Sequence, residues 1–167
     1  MDTVDDGSAT AASLAEWLEY LTFTELSEAG AAARIVESVA DWAVARRWRV
    51  YRRAPSVFPL PPPLRGNSVL DVACARPGAV PIAIEVDRTD RQRTVDKLLA
   101  EAAAGRLAIW VRWGAGPFPP PPLPVHMVVR EAARRGGKWH TVSELAAPEH
   151  SAATPVVTEA EELPWEP

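Results

Sequence analysis

The sequence predicts an α/β domain with a mixed central sheet over residues 31–145. Apolar residues recur at helical spacing in segments 31–47 and 90–104. Between and after these segments lie short runs with the alternating or continuous apolarity of β-strands. The resulting order is helix, strand, strand, strand, helix, strand, strand. That order is typical of helices layered on a mixed sheet.

Turn and capping residues predict where the elements of this domain begin and end. The second helix is expected to start at an Asp90 cap and to stop at Gly105. The predicted strands cover residues 48–53, 68–75, 81–87, 107–113 and 125–130.

Two proline-rich segments, 58–63 and 117–124, connect predicted strands and are expected to be loops. We interpret them as rigid spacers. The alternative is that they bind SH3-like partner proteins.

The segments on either side of the predicted domain, 1–30 and 146–167, are acidic. Segment 1–30 is expected to be a helical appendage, with its first ten residues disordered and a short helix starting at a capping box of Ser13 and Glu16. Segment 146–167 is rich in Pro, Glu and Ala, and is expected to be a disordered acidic tail.

Charge is strongly segregated along the chain. Residues 1–30 hold seven acidic residues, residues 139–167 hold six, and neither segment has Lys or Arg. Residues 31–138 therefore hold all 18 basic residues and the other nine acidic ones, a net charge of +9. This basic centre suggests a polyanionic partner such as nucleic acid. The alternative is an arginine-rich composition spread over a solvated surface.

Composition also limits the class of protein. A single cysteine, Cys74, excludes an internal disulfide framework and a cysteine-based zinc cluster, and its apolar surroundings predict a buried thiol. No apolar run approaches the roughly 18 residues of a membrane span, and no secretory signal pattern is present. We therefore expect a cytoplasmic protein without a membrane partner.

The segment around Gly78 predicts a hairpin with a defined register. If the turn centres on this glycine, residues whose numbers sum to 156 face each other. Every pair on one face is then apolar, so that face is predicted to be core, and a one-residue slip would scramble it. These pairs are Leu70 with Val86, Val72 with Ile84, and Cys74 with Ile82.

The opposite face of this hairpin gathers carboxylates. Asp71 is predicted to face Glu85, and Asp87 lies two residues further along the same side. Like charges that face each other repel, so a cation, an arginine or hydration must offset them. Carboxylate oxygens are suitable ligands for Mg²⁺. The alternative is an exposed edge whose acids pair with Arg76, Arg88 or Arg91.

These residues resemble the PD-(D/E)XK nuclease superfamily. Residues 69–72 (Val-Leu-Asp-Val) are similar to the Asp strand of that family, and residues 82–87 (Ile-Ala-Ile-Glu-Val-Asp) to its Glu strand. The Glu-x-Asp form resembles the very-short-patch-repair-type endonucleases, in which an acid replaces the usual lysine. The resemblance covers residues 31–113 and implies a restriction-endonuclease-like α-β-β-β-α-β core.

The resemblance also implies a catalytic centre. Asp71 and Glu85 would ligate Mg²⁺ or Mn²⁺, with the Val86 carbonyl as a third ligand, and the metal would activate a water. Asp87 stands where the family has lysine, and it would bind a second metal or orient the water. Lys97 on the following helix would supply the missing charge. The alternative for Lys97 is a solvated position on the helix surface.

Four further charged residues near the predicted site are candidates for supporting roles. Arg88, Arg91 and Arg93 are candidates for gripping phosphates. Glu37 on the first core helix is a candidate auxiliary acid, or else a solvated surface residue.

The resemblance predicts a Mg²⁺-dependent nuclease-like hydrolase that cleaves DNA phosphodiester bonds by metal-activated water, as an endonuclease or exonuclease. The alternative is a catalytically inactive module with the nuclease fold that binds a protein partner or nucleic acid. The sequence does not define an oligomeric state.

Overall fold

The computed structural model describes residues 3–142, with side chains from Asp6 onward. Within this range the chain forms three helices and six strands. The helices are α1 (Thr3–Glu19), α2 (Glu28–Ala45) and α3 (Gln92–Ala103). The strands are β1 (Arg49–Pro59), β2 (Asn67–Ala75), β3 (Ile82–Asp87), β4 (Leu107–Gly114), β5 (His126–Arg135) and β6 (Lys138–Thr141).

The six strands form one sheet in the order β1-β2-β3-β4-β5-β6. The pairs β1–β2, β2–β3 and β5–β6 are antiparallel, whereas β3–β4 and β4–β5 are parallel. The predicted α/β class with a mixed sheet is confirmed. The helices and strands of the core also follow one another in the predicted order.

Helices cover both faces of the sheet. On one face, α1 and α2 bury Leu14, Ile35 and Trp42 against a core that continues through Ile84 and Ile109 of the sheet. On the other face, α3 lies over the sheet and packs its own apolar side chains against those of β4. That smaller cluster comprises Val95, Leu98, Ala108, Trp110 and Val125.

Helix α1 differs from the prediction for segment 1–30. The helix begins at Thr3, so the expected disorder is wrong for residues 3–10, and Ser13 lies inside the helix instead of capping it. The Ser13 hydroxyl accepts a hydrogen bond of 3.2 Å from Trp42 Nε1. Leu14 and Leu18 are fully buried in the main core. Tertiary burial of this apolar stripe stabilises a helix that its polar start does not predict.

The start of α3 also differs from the prediction. Arg91, not Asp90, occupies the N-cap position, and its side chain makes no capping hydrogen bond. Asp90 instead forms an ion pair of 2.5 Å with Arg112. The predicted stop is confirmed, because α3 ends at Ala103 and Gly105 follows with φ of +89°.

Two other boundaries depend on long-range pairing. β1 continues to Pro59, so the first proline loop is shorter than expected, and β6 was not predicted. The tail at 146–167 and the end of the 31–145 domain lie outside the described residues.

Cys74 is buried as predicted, and burial raises the pKa of its thiol to about 12. Among residues 3–142, no helix is long and apolar enough to cross a lipid bilayer.

Glu101 ties α3 to the outer strand β1. Its carboxylate is buried and accepts hydrogen bonds from the Ser56 hydroxyl at 2.6 Å and from the Val57 N–H at 2.8 Å. Arg106 Nε lies 3.3 Å from the same carboxylate. The charged group is therefore fully compensated by protein donors.

We expect Glu101→Ala to lower the free energy of unfolding by about 3 kcal/mol, because two donors on β1 lose their acceptor and a cavity remains. The matched control is Asp96→Ala, an exposed acid on the same helix, for which the loss should stay below about 0.5 kcal/mol. Urea unfolding measures both values, and equal losses would contradict this role for Glu101.

Candidate active site

The β2–β3 hairpin has the predicted register. Val72 pairs with Ile84, Ala73 with Ala83, and Cys74 with Ile82. Gly78, in the turn, has φ of +69°, a conformation that favours glycine. The apolar face of this hairpin packs under α1 and α2, so the opposite face presents Asp71 and Glu85.

Backbone pairing between the two strands ends at Val72 and Ile84, and the same register continued by one residue places Asp71 opposite Glu85. Beyond the last backbone pair, the Val86 N–H donates a hydrogen bond of 2.8 Å to Asp71 Oδ2. A side-chain carboxylate thus replaces a backbone carbonyl as the acceptor. The backbone pairing of β2 and β3 thus ends at the level of the two carboxylates, and we call this place the opening between the strands.

Lys97 of α3 reaches into this opening. Its ammonium group contacts Glu85 Oε1 and donates a hydrogen bond of 2.8 Å to the Val69 carbonyl. The side chains of Lys97 and Glu85 are only 13% and 7% exposed. Lys97 therefore belongs to the site and is not a solvated helix-surface residue.

The two carboxylates interact unfavourably when both are charged. Burial of Glu85, together with the charge and hydrogen bonding of Asp71, raises the pKa of Glu85 to about 8, although Lys97 acts in the opposite direction. Without a metal ion, Glu85 therefore retains a proton near neutral pH. A bound cation would replace that proton and neutralise both groups.

The residues present fit a Mg²⁺ ion. Asp71 Oδ2 and Glu85 Oε1 have protein partners, which leaves one oxygen on each carboxylate without a donor among the described residues. In an extended strand the N–H and C=O of one residue point the same way, so the Val86 carbonyl also points toward β2. Mg²⁺ commonly uses one or two carboxylates and keeps several waters.

Asp87 does not join the other two carboxylates. Its Oδ2 accepts a hydrogen bond of 3.0 Å from Trp110 Nε1, and its Oδ1 lies 3.8 Å from Arg91 Nε. The expected convergence of three carboxylates is therefore not seen. Consistent with this, no group of three or more His, Cys, Asp or Glu side chains suited to a metal ion occurs among residues 3–142.

The three candidate phosphate-binding arginines have different surroundings. Arg88 Nε lies 2.7 Å from Glu28, and Arg93 donates a hydrogen bond of 2.6 Å to the Pro59 carbonyl. The side chain of Arg91 is 67% exposed, and its Nε lies 3.8 Å from Asp87 Oδ1. None of these contacts brings one of the three arginines to Asp71 or Glu85.

Glu37 lies away from the site. It forms two hydrogen bonds with Arg52, of 2.9 and 2.8 Å. Arg52 pairs with Val72 in the sheet, so both residues lie on the face covered by α1 and α2. The structure therefore does not bring Glu37 to Asp71 and Glu85.

Arg112 was missed by the sequence analysis. It is buried on β4, where it pairs in register with Asp87, and its guanidinium stacks 4.5 Å from the centroid of the Trp110 ring. Its Nε is buried without a hydrogen-bond partner among the described residues. A lone arginine within the apolar segment 107–113 was the signal for it.

A separate cavity of about 400 Å³ lies near the beginning of β4 and is lined by apolar side chains such as Leu107 and Leu123. Of the charged residues that line it, Asp6 pairs with Arg76 and Arg106 with Glu101. These two charged groups already have partners of opposite charge, so we place the candidate site at Asp71 and Glu85 and not in this cavity.

We expect the stability of the metal-free protein to fall as pH rises through the folded-state pKa of Glu85. The folded state binds more protons than the unfolded state between roughly pH 4.5 and 8, so the free energy of unfolding decreases over that interval. Glu85→Gln removes this contribution. Thermal unfolding in EDTA at several pH values measures the difference, with the exposed Glu131→Gln as control. Parallel pH profiles for Glu85→Gln and the unsubstituted protein would contradict the assignment.

No family model, curated protein or solved structure matches this chain.

Proposed function

We propose that this chain is a Mg²⁺- or Mn²⁺-dependent nuclease-like hydrolase that cleaves DNA phosphodiester bonds. The observation that carries the proposal is the meeting of Asp71, Glu85 and Lys97. They come from two antiparallel strands and the helix that follows. Two carboxylates beside an ammonium group can bind a cation and a phosphate together.

The arrangement of elements supports the same proposal. The order α2, β1, β2, β3, α3, β4 agrees with the α-β-β-β-α-β core that the resemblance to PD-(D/E)XK nucleases implies. Asp71 lies on the second of these strands and Glu85 on the third, as in that family. The parallel pairing of β3 with β4 requires the crossover helix α3, which carries Lys97.

Asp71, Glu85 and the Val86 carbonyl would hold the metal ion. When bound, the ion supplies Lewis-acid polarisation of the phosphate and a water of lowered pKa. The Glu85 carboxyl group must lose its proton to act as a ligand. Its raised pKa therefore makes metal binding favour a pH above neutral.

Lys97 compensates for the acid at position 87. An ammonium group has three N–H donors, and two of them are directed at Val69 and Glu85. The third donor can bind a phosphate oxygen or hold the attacking water. Asp87 meanwhile fixes the Trp110 indole, so its role in this proposal is to shape the wall of the site.

A second candidate is the catalytically inactive module that binds nucleic acid or a protein. The observation in its favour is the close ion pair between Lys97 and the buried Glu85. Lys97 is the cation that an ionised Glu85 needs, so the two side chains can serve as a purely structural pair that requires no metal.

We expect cleavage of DNA in Mg²⁺ or Mn²⁺ to fall roughly 100-fold or more in Asp71→Asn, Glu85→Gln and Lys97→Met, because each loses a charge at the reacting phosphate. Glu37→Gln is the control, since it removes an exposed acid on the other face of the sheet. Initial rates on single-stranded and duplex DNA measure the effect. Cleavage that survives all three site variants would exclude this site, and bound but uncut DNA would favour the inactive module.

We expect Mn²⁺ or Mg²⁺ to raise the melting temperature of the protein, because an ion that binds the folded state stabilises it. The increase should be larger at pH 8.5 than at pH 6, where a proton on Glu85 competes with the ion. Asp71→Asn should abolish the increase. An equal increase in this variant would place the metal elsewhere.

A further inference from the structure

The outer strand β1 presents a row of basic and aromatic residues on the same sheet face as the proposed site. Arg49 pairs with Ala75 and Tyr51 with Ala73. Ala73 lies two residues from Asp71 on β2, so these side chains share the face of the carboxylates. We call Arg49, Tyr51 and Arg53 the β1 row.

Arg53 is the member of the β1 row next to the site. The residues on either side of it pair as Arg52 with Val72 and Ala54 with Leu70, so the backbone of Arg53 lies level with that of Asp71. Its φ of +51° is rare for a residue other than glycine. Such a strained backbone is more often kept at functional positions than elsewhere.

The β1 row is open to solvent. Arg49 and Arg53 are exposed, and Tyr51 is 46% exposed. None of the ion pairs formed within residues 3–142 involves Arg49 or Arg53. By contrast Arg52, which points to the other face, is neutralised by Glu37. The row therefore carries positive charge that the described part of the fold does not use.

The basic surface continues past the start of β1. Arg47, Trp48 and Arg49 line a hollow there together with Arg76, which pairs with Asp6. Along the row itself, the four residue-to-residue steps from Arg49 to Arg53 cover ~13 Å, which matches about four steps between stacked nucleotides at ~3.4 Å each. A nucleic-acid strand can thus lie along β1 and reach Asp71.

Tyr51 favours a single strand over a duplex. An aromatic ring between two arginines offers a stacking surface for one base, while the arginines bind the flanking phosphates. In a duplex the faces of the bases are already stacked on their neighbours. We infer that the β1 row binds single-stranded DNA and leads it to Asp71 and Glu85, an inference that rests on the proposed function.

Charge argues against a second copy of this chain as the occupant of β1. Pairing two copies through this edge would bring their arginine rows together, and like charges on an edge discourage such pairing. Single-stranded DNA has the complementary charge.

The test measures binding of a fluorescent single-stranded 20-mer and its duplex to the full chain in EDTA, where metal-dependent cleavage is absent. We expect tighter binding of the single strand. Tyr51→Ala should weaken it roughly 5- to 100-fold. Arg49→Ala and Arg53→Ala should each reduce the slope of log affinity against log salt by about 0.7.

The matched control is Arg134→Ala with Arg135→Ala, which removes two exposed arginines near the β5–β6 turn. Its affinity should change less than twofold. Melting temperatures and molar masses of all variants exclude misfolding and altered self-association as the cause.

Equal affinity for the duplex, unchanged binding in the variants of the row, or an equal loss in the control would each overturn the inference. A change of oligomeric state in Tyr51→Ala without loss of binding would overturn it too. If the row variants lose binding as expected but the protein cuts no DNA in Mg²⁺ or Mn²⁺, the proposed function fails and the inferred binding surface stands.

Discussion

The chemistry that we propose depends on two neighbouring carboxylates, the half-buried Asp71 and the buried Glu85. Burial and the nearby Asp71 disfavour the charged form of Glu85 and raise its pKa, while Lys97 acts in the opposite direction. A proton or a divalent cation at this place would relieve the repulsion between the two carboxylates. The proposed metal site, its pH dependence and its reaction all follow from this constraint.

The fold keeps the two carboxylates together through packing and not through their own interaction. The hairpin register is fixed because a slip of one residue would move Val72 and Ile84 out of the core. Helix α3 is fixed by Leu98 in the smaller core and by the Glu101 contacts to β1. These contacts fix the backbone positions from which Asp71, Glu85 and Lys97 extend, and the proposed metal site depends on that arrangement.

The sequence predicted what depends on local pattern. Alternation around Gly78 gave the register and placed Asp71 and Glu85 on one face. What it could not predict depends on contacts far apart in the chain. Asp87 was assigned to the site because it lies two residues from Glu85 and therefore on the same face of the strand. In the structure, however, its carboxylate accepts a hydrogen bond from the Trp110 indole on the next strand. The role of Arg112 likewise depends on its contacts with other residues, Asp90 and the Trp110 ring, which the apolar pattern of its strand does not indicate.

Diffraction from crystals soaked in Mn²⁺, recorded at a wavelength where manganese scatters anomalously, tests most directly whether these carboxylates form a metal centre. We predict one strong anomalous peak in the opening between β2 and β3, within about 2.0–2.3 Å of oxygens from Asp71 and Glu85. Manganese bound only elsewhere, with Lys97 still seated on Glu85, would contradict it.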